Sequence, residues 1–295
     1  MPIKRTLLHT LYPIVYRLGA GAHDGGVTIL SYHALDTHAT DISVAPAQFA
    51  AHMAALAAVG AVSLTMREVA AGLTAGRPFP RRAVAITFDD GFASVASEGA
   101  PILARYGFTA TVYVITGMVG RSTQWTAGTH ALPAVPLLSW AEIAALQHAG
   151  SEIGAHTVSH PFLSQCTPDA VAHELGAARA TLEARLGRSV RAFAYPQGDY
   201  TPAIVAAVRA AGYRSAVTLD QGRTGLHSDA LRLPRLHISR HTPPSALRAA
   251  VVPTIGPTYR LLNGLIRGLL RRRNWPRPLP GTVQSTGMQP LAEAQ

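Results

Sequence analysis

Short apolar runs alternate with helix-like segments from about residue 26 to residue 219. Val27-Thr28-Ile29-Leu30-Ser31-Tyr32 and Ala83-Val84-Ala85-Ile86-Thr87-Phe88 read as strands, the second one buried on both faces. The β-branched stretch 109–115 and the short runs 152–155, 190–194 and 213–219 continue the series. Between them lie helix signals. Pro46 opens a segment that carries Phe49, Met53 and Leu56 at helical spacing and stops at Gly60. A helix through Ile102 and Leu103 ends at Gly107. Ser139-Trp140-Ala141-Glu142 has capping-box spacing, with Gly150 to close the helix. Thr167-Pro168 and Thr201-Pro202 each pair an N-cap with a proline at the first helical position, and Gly212 ends the second of these helices. Strand–helix alternation of this kind predicts a mostly parallel sheet, either open or closed into a barrel.

The pattern breaks at both ends. Residues 1–25 form an N-terminal segment in which Lys4 and Arg5 precede an apolar stretch. His9, Pro13 and Arg17 interrupt that stretch, so a short amphipathic helix is expected rather than a cleaved export signal. The alternating domain is expected to span 26–245. In 246–295, apolar residues at 261, 262, 265, 266, 269 and 270 with arginines at 260, 267, 271, 272 and 273 read as a basic amphipathic helix before a proline-rich tail.

Composition sharpens this picture in three ways. Hydrophobic residues are 48% and charged residues 14% of 295, which excludes a solvating, disordered chain. The single cysteine, Cys166, excludes an internal disulfide framework. The net charge of +10 is concentrated late in the chain, where the stretch 230–292 has arginines and no carboxylate. An anionic membrane surface is the partner such a block suits. Nucleic acid is not expected, because little aromatic side chain is interleaved for base stacking. With no clear export signal, a cytoplasmic or inner-membrane-surface location is favoured.

In parallel α/β folds, sites form where strands end. Asp89 and Asp90 follow the second strand, His156-Thr157-Val158-Ser159-His160 follows the 152–155 strand, and His33 follows the first. Two adjacent carboxylates are costly to bury ionised unless a cation relieves them. Histidines at i and i+4 share one face of a helix or turn and suit one metal ion. Two imidazoles and one carboxylate make a three-donor site with open positions, and the other carboxylate is left free to accept a proton. Either motif alone is more often a turn or an ordinary histidine pair. Their position at successive strand ends is what gives them weight.

Thr87-Phe88-Asp89-Asp90-Gly91 together with His156-Thr157-Val158-Ser159-His160 resembles the polysaccharide deacetylases with the NodB-homology domain, carbohydrate esterase family 4. The resemblance runs from about Val27 to Ser239. It implies a distorted (β/α) barrel of about seven strands and metal-dependent hydrolysis of N-acetyl groups from a hexosamine-containing glycan or glycolipid. By the same resemblance Asp89 is the base and Asp90, His156 and His160 hold the metal. That metal is expected to be zinc, with cobalt or nickel able to replace it. Phe193-Ala194-Tyr195-Pro196-Gln197-Gly198 looks like the third motif, whose matching amide for the oxyanion is that of Gln197. Ala194 stands where many members have an arginine that holds the base; Arg235 is the expected substitute. The general acid is left between His33, in a Tyr-His segment like that of the poly-N-acetylglucosamine deacetylases, and His237, with His33 favoured. Two other readings stay open: the same metal machinery acting on a small non-sugar amide, and a non-catalytic adaptor on a membrane surface. The remaining histidines, His52 among them, read as surface or helix residues. Trp125 and Trp140 are candidates for sugar stacking.

Overall fold

The computed structural model describes residues 24–38, 40–123 and 134–252. The N-terminal segment, Trp125 and the basic 259–273 segment lie outside these residues. Seven parallel strands form a closed ring: β1 (Val27–Tyr32), β3 (Ala83–Phe88), β4 (Thr111–Val114), β5 (Glu152–Ala155), β6 (Ala192–Ala194), β7 (Ser215–Gln221) and β8 (Leu233–His237), with β8 returning to β1. The β1–β3 pairing closes it, in register from Val27↔Ala83 to Tyr32↔Phe88. A two-residue strand, β2 (Val62–Ser63), occupies the edge of β3 at Ala83 and Val84, and β4 takes over that edge at Thr87 and Phe88. The ring is distorted because some seams are short. β5 and β6 share one register pair, Ala155↔Phe193, and β7 and β8 slip register between Val217 and Gln221.

β1 and β3 are buried at all six positions because one face fills the barrel and the other meets the helices. Ile29, Ala85, Tyr113, Ala192, Val217 and Leu233 pack together inside the barrel. Gly154 has no side chain because the Tyr113 ring lies across it: a Cβ there would come within 2.5 Å of that ring. Outside the barrel stand α1 (Pro46–Ala57), α2 (Met66–Ala75), α3 (Ala100–Arg105), α4 (Trp140–His148), α5 (Pro168–Leu186), α6 (Pro202–Ala210) and α7 (Pro244–Ala250). Side chains cap four of them. Thr65 and Ser139 form capping boxes with Glu68 and Glu142, and Thr167 and Thr201 accept the amides of Ala170 and Ile204.

Strands β1, β3 and β5 and the starts of α1, α4, α5 and α6 fall where the residue pattern puts them. Four elements had no place in that pattern, the two-residue β2 being the smallest. α2 carries its own capping box, Thr65 to Glu68, and ends at left-handed Gly76. β8 is masked by Pro234, a residue that argues against a strand interior. α7 buries Ala246 and Leu247, and Val251 follows it into the main core, so packing extends past the expected domain boundary at 245. His52 is another difference. It sits on the apolar stripe of α1 with Phe49, Met53 and Leu56 and is fully buried. Its Nδ1 lies 3.1 Å from the Tyr32 hydroxyl and its Nε2 2.9 Å from the Thr242 carbonyl.

Phe49 is the aromatic centre of the α1 face. It meets Tyr32 edge-on at 5.1 Å and Phe88 at 5.6 Å between centroids, and is fully buried. Phe49→Ala is expected to destabilise the fold by about 3–5 kcal/mol, read as a lower urea midpoint at unchanged slope.

Candidate active site

At the end of β3 the backbone separates two neighbouring carboxylates. The Asp89 amide donates to the Tyr32 carbonyl (3.0 Å), continuing the β1–β3 ladder by one residue. Asp90 then turns left-handed (φ 67°), as does Gly91 (φ 72°). An aspartate tolerates that conformation better than most residues. The two side chains consequently meet different partners.

Asp89, 2% exposed, is held by Arg235 from β8. The guanidinium Nη1 donates to Oδ1 at 2.8 Å and Nη2 to Oδ2 at 2.7 Å. Arg235 is itself 1% exposed, and it also donates from Nε to the Thr218 carbonyl (2.9 Å) and from Nη1 to the Thr87 hydroxyl (3.1 Å). Burial acts to raise the Asp89 pKa, but the Arg235 charge and hydrogen bonds outweigh it and hold the carboxyl below its ordinary value. His33 follows β1 with Nε2 3.8 Å from Asp89 Oδ2. His237, the last residue of β8, sets its ring against that of His33 at 5.8 Å. Burial, then His33 and Arg235, push the His237 pKa down to about 4.

Asp90 faces the histidines. Its Oδ1 lies 3.3 Å from His156 Nε2 and 3.5 Å from His160 Nε2. Burial acts to raise its pKa, but the two imidazoles hold it well below the carboxylate range. The His156 Nδ1 meets the Ala194 carbonyl at 2.8 Å. A carbonyl only accepts, so Nδ1 carries a proton, and Nε2 is the atom that turns to Asp90 and could ligate a metal once unprotonated. The loop between the histidines is strained and braced. Thr157 and His160 are both left-handed (φ 66° and 62°), unusual for a β-branched residue. The Thr157 hydroxyl accepts the His160 amide (3.0 Å). From α5, Glu174 accepts the amides of Val158 (2.7 Å) and Ser159 (3.0 Å) and the Ser159 hydroxyl (2.6 Å).

These donors fit a metal ion. One oxygen and two nitrogens lie within 4.8 Å of one another. Two donors each about 2.0–2.2 Å from one tetrahedral ion stand about 3.4 Å apart, which matches the 3.3 and 3.5 Å separations. The Ala194 bond to His156 is the kind of support that fixes a ligating imidazole's tautomer.

The fold therefore gathers Asp89, Asp90, His156, His160, His33, His237 and Arg235 at one end of the barrel. Gln197 sits in the turn Pro196–Gly198 that follows β6, exposed and left-handed (φ 56°). Asp220 lies on the exposed rim and accepts the Tyr200 hydroxyl (2.7 Å). Trp140 has the Arg185 guanidinium over its ring at 5.3 Å, so this tryptophan packs within the protein. Reading the residues alone missed Glu174, Thr87, Thr218 and the Ala194 carbonyl. Glu174 had one available signal, a carboxylate on the first turns of the helix after the histidine motif.

Residues 76–216 match the family model described as polysaccharide deacetylase. Over these residues the chain carries a polysaccharide deacetylase domain, and that family is metal-dependent. Among its relatives is the putative polysaccharide deacetylase YxkH of Bacillus subtilis (strain 168), 27% identical over 223 residues, covering 76% of this chain and 75% of that protein. Another is the poly-beta-1,6-N-acetyl-D-glucosamine N-deacetylase of Staphylococcus aureus (strain MRSA252), 26% identical over 67% of this chain and 68% of its own. Of solved structures, the Streptococcus pyogenes deacetylase PplD in complex with acetate aligns with a TM-score of 0.69 at 26% identity, over 77% of this chain and 99% of that one. IcaB from Ammonifex degensii aligns with 0.66 at 26%, over 77% and 97%.

Removing the guanidinium tests the pairing directly. Arg235→Gln leaves Asp89 buried without its counter-charge and is expected to cost about 3–5 kcal/mol in the metal-free protein. Because the folded Asp89 pKa is depressed, its contribution is full above the unfolded value near pH 4 and is lost as pH falls through the folded value. The stability gap between wild type and variant is thus widest near neutrality and closes in acid, as denaturation midpoints across pH will show.

Proposed function

We propose that this chain is a divalent-metal-dependent N-deacetylase acting on a hexosamine-containing glycan, an exopolysaccharide or cell-envelope intermediate, with N-acetylglucosamine units as the target. One observation carries the reading: adjacent carboxylates are split, one clamped by an arginine and the other facing two imidazoles. The names of the curated relatives support the glycan as substrate class.

In this reading Asp90, His156 and His160 hold the cation, and zinc suits their nitrogen and oxygen donors, with cobalt or nickel as substitutes. When bound, the cation supplies Lewis acidity that polarises the acetyl carbonyl and makes water more acidic. Asp89 accepts the proton of the attacking water on a carboxylate oxygen. Arg235 keeps that carboxylate ionised and aimed, at some loss of basicity. The Gln197 amide donates to the carbonyl oxygen as negative charge gathers there. His33 delivers a proton to the departing amine nitrogen. His237, neutral at working pH, packs beside His33 and is the weaker candidate for that proton.

A small-amide substrate is the competing reading for the same machinery, since fold and metal do not set the substrate. Acetate release from β-1,6-linked N-acetylglucosamine oligomers, measured with metal content on one preparation, separates the two. Release from the oligomers and none from small amides is expected; the reverse would replace the glycan with an amide. Asp89→Asn is expected to lower the rate about 10²- to 10⁴-fold at unchanged metal content, whereas His160→Ala lowers metal content itself. The arginine-rich segment 259–273 supports a second role on anionic membrane surfaces. Co-sedimentation with anionic liposomes is expected to fall when residues 255–295 are deleted, and equal binding by both forms would remove that role.

A further inference from the structure

We propose that the rim built by the loops after β5 and β6 and by the end of β7 binds the sugar unit next to the one being deacetylated, with the Phe162 ring as its platform. This extends, and rests on, the glycan reading above. Large apolar side chains exposed among the described residues are Val62 (41%), Phe162 (40%) and Leu219 (37%). Val62 pairs with the start of β3 and so lies at the far end of the barrel. Phe162 and Leu219 stand at the catalytic end. Phe162 follows the candidate ligand His160 by two residues. Leu219 lies over Gly198, where a Cβ would come within 2.7 Å of the Leu219 Cβ, and Gly198 is the neighbour of Gln197.

Hydrogen bonds join these positions into one surface. The Ser164 amide, just beyond Phe162, donates to Asp199 Oδ2 (2.7 Å). Tyr200 donates its hydroxyl to Asp220 Oδ2 (2.7 Å), and its ring lies 5.3 Å from that of Tyr195. Two loops leave β5 and β6, and Leu219 and Asp220 belong to the end of the next strand, β7. They therefore form one side of the mouth rather than scattered patches.

The chemistry of this side suits a pyranose. An aromatic face and a leucine meet the apolar C–H face of a sugar, while carboxylate oxygens and a phenol at the edges meet its hydroxyls. The bonds from Ser164 and Tyr200 engage Oδ2 of Asp199 and of Asp220, and the Oδ1 oxygens suit sugar hydroxyls better than a purely apolar occupant. The fold does not need the Phe162 ring. What holds this segment is its backbone, since the Phe162 carbonyl accepts the Gln165 amide at 3.0 Å. Substitution of the ring is therefore not expected to disturb the loop.

The test uses the full, metal-loaded chain carrying Asp89→Asn, so that binding is read without turnover. Saturation-transfer NMR and titration compare a β-1,6-linked N-acetylglucosamine pentamer with N-acetylglucosamine itself. Adding Phe162→Ala is expected to weaken the pentamer about tenfold and leave the monosaccharide unchanged, and Phe162→Tyr restores pentamer binding. Equal pentamer binding with and without the ring would overturn the proposal. So would a matching loss for the monosaccharide, which would mean that the ring acts through His160, or a failure of the pentamer to bind at all. Acetate release by the unsubstituted enzyme reports separately on the proposed function. A pentamer bound through Phe162 but never deacetylated would leave this surface standing and remove the reaction.

Discussion

The bidentate pairing of Arg235 with Asp89 is the contact on which the rest of the site depends. It joins the end of β3 to β8 inside the barrel, past β1, which lies between them in the ring. Neither partner is tolerable there alone, because an unpaired buried charge costs several kcal/mol. Paired, both are supported by neutral donors and acceptors: Thr87 and the Thr218 carbonyl take further guanidinium protons, and the Asp89 amide stays in the β ladder. The same contact that closes this end of the barrel thereby orients the carboxylate proposed as base.

A second consequence follows one residue later. With Asp89 held inward by β8, the left-handed turn at Asp90 presents the next carboxylate to the β5 loop. Adjacent aspartates would repel each other in a low-dielectric site. Here each has its own positive or metal-accepting neighbourhood, and both are kept ionised by different groups. The strain at Asp90 and His160 falls on two residues that carry candidate metal donors, and that at Thr157 falls on the turn between the histidines. Glu174 offsets part of it by tying down two loop amides.

What was legible in the residues was local. Strand-end motifs such as Thr87–Gly91 and His156–His160 are contiguous, so spacing exposes them. The helix starts at Ser139, Thr167 and Thr201 are legible because capping is a short-range hydrogen bond. Arg235 could be named only as a candidate, since its contact with Asp89 spans 146 positions and no local pattern encodes it. Glu174 left only a faint signal, because a carboxylate early in a helix does not show which amides, 15 and 16 positions back, it will accept. His52 illustrates a different limit. Its place on the stripe of Phe49, Met53 and Leu56 was readable, but a polar side chain on an apolar face is interpretable only when its partners, Tyr32 and Thr242, are known. β8 was hidden by Pro234, and the functional weight of that strand became clear only from the ring.

The two histidines beside Asp89 are not equivalent, and the reason lies in the same buried pair. His237 shares a strand with Arg235, and the guanidinium charge adds to burial in keeping its imidazole neutral. His33 enters from β1 on the carboxylate side, with its Nε2 toward Asp89 Oδ2. A proton accepted by that carboxylate has a nearby imidazole to move to. Arg235 thus has two effects at once: it keeps Asp89 ready to accept a proton, and it disfavours the second histidine as donor. In the proposed mechanism this division puts the acid just after β1, the clamp on β8, and the base just after β3, the neighbour of β1.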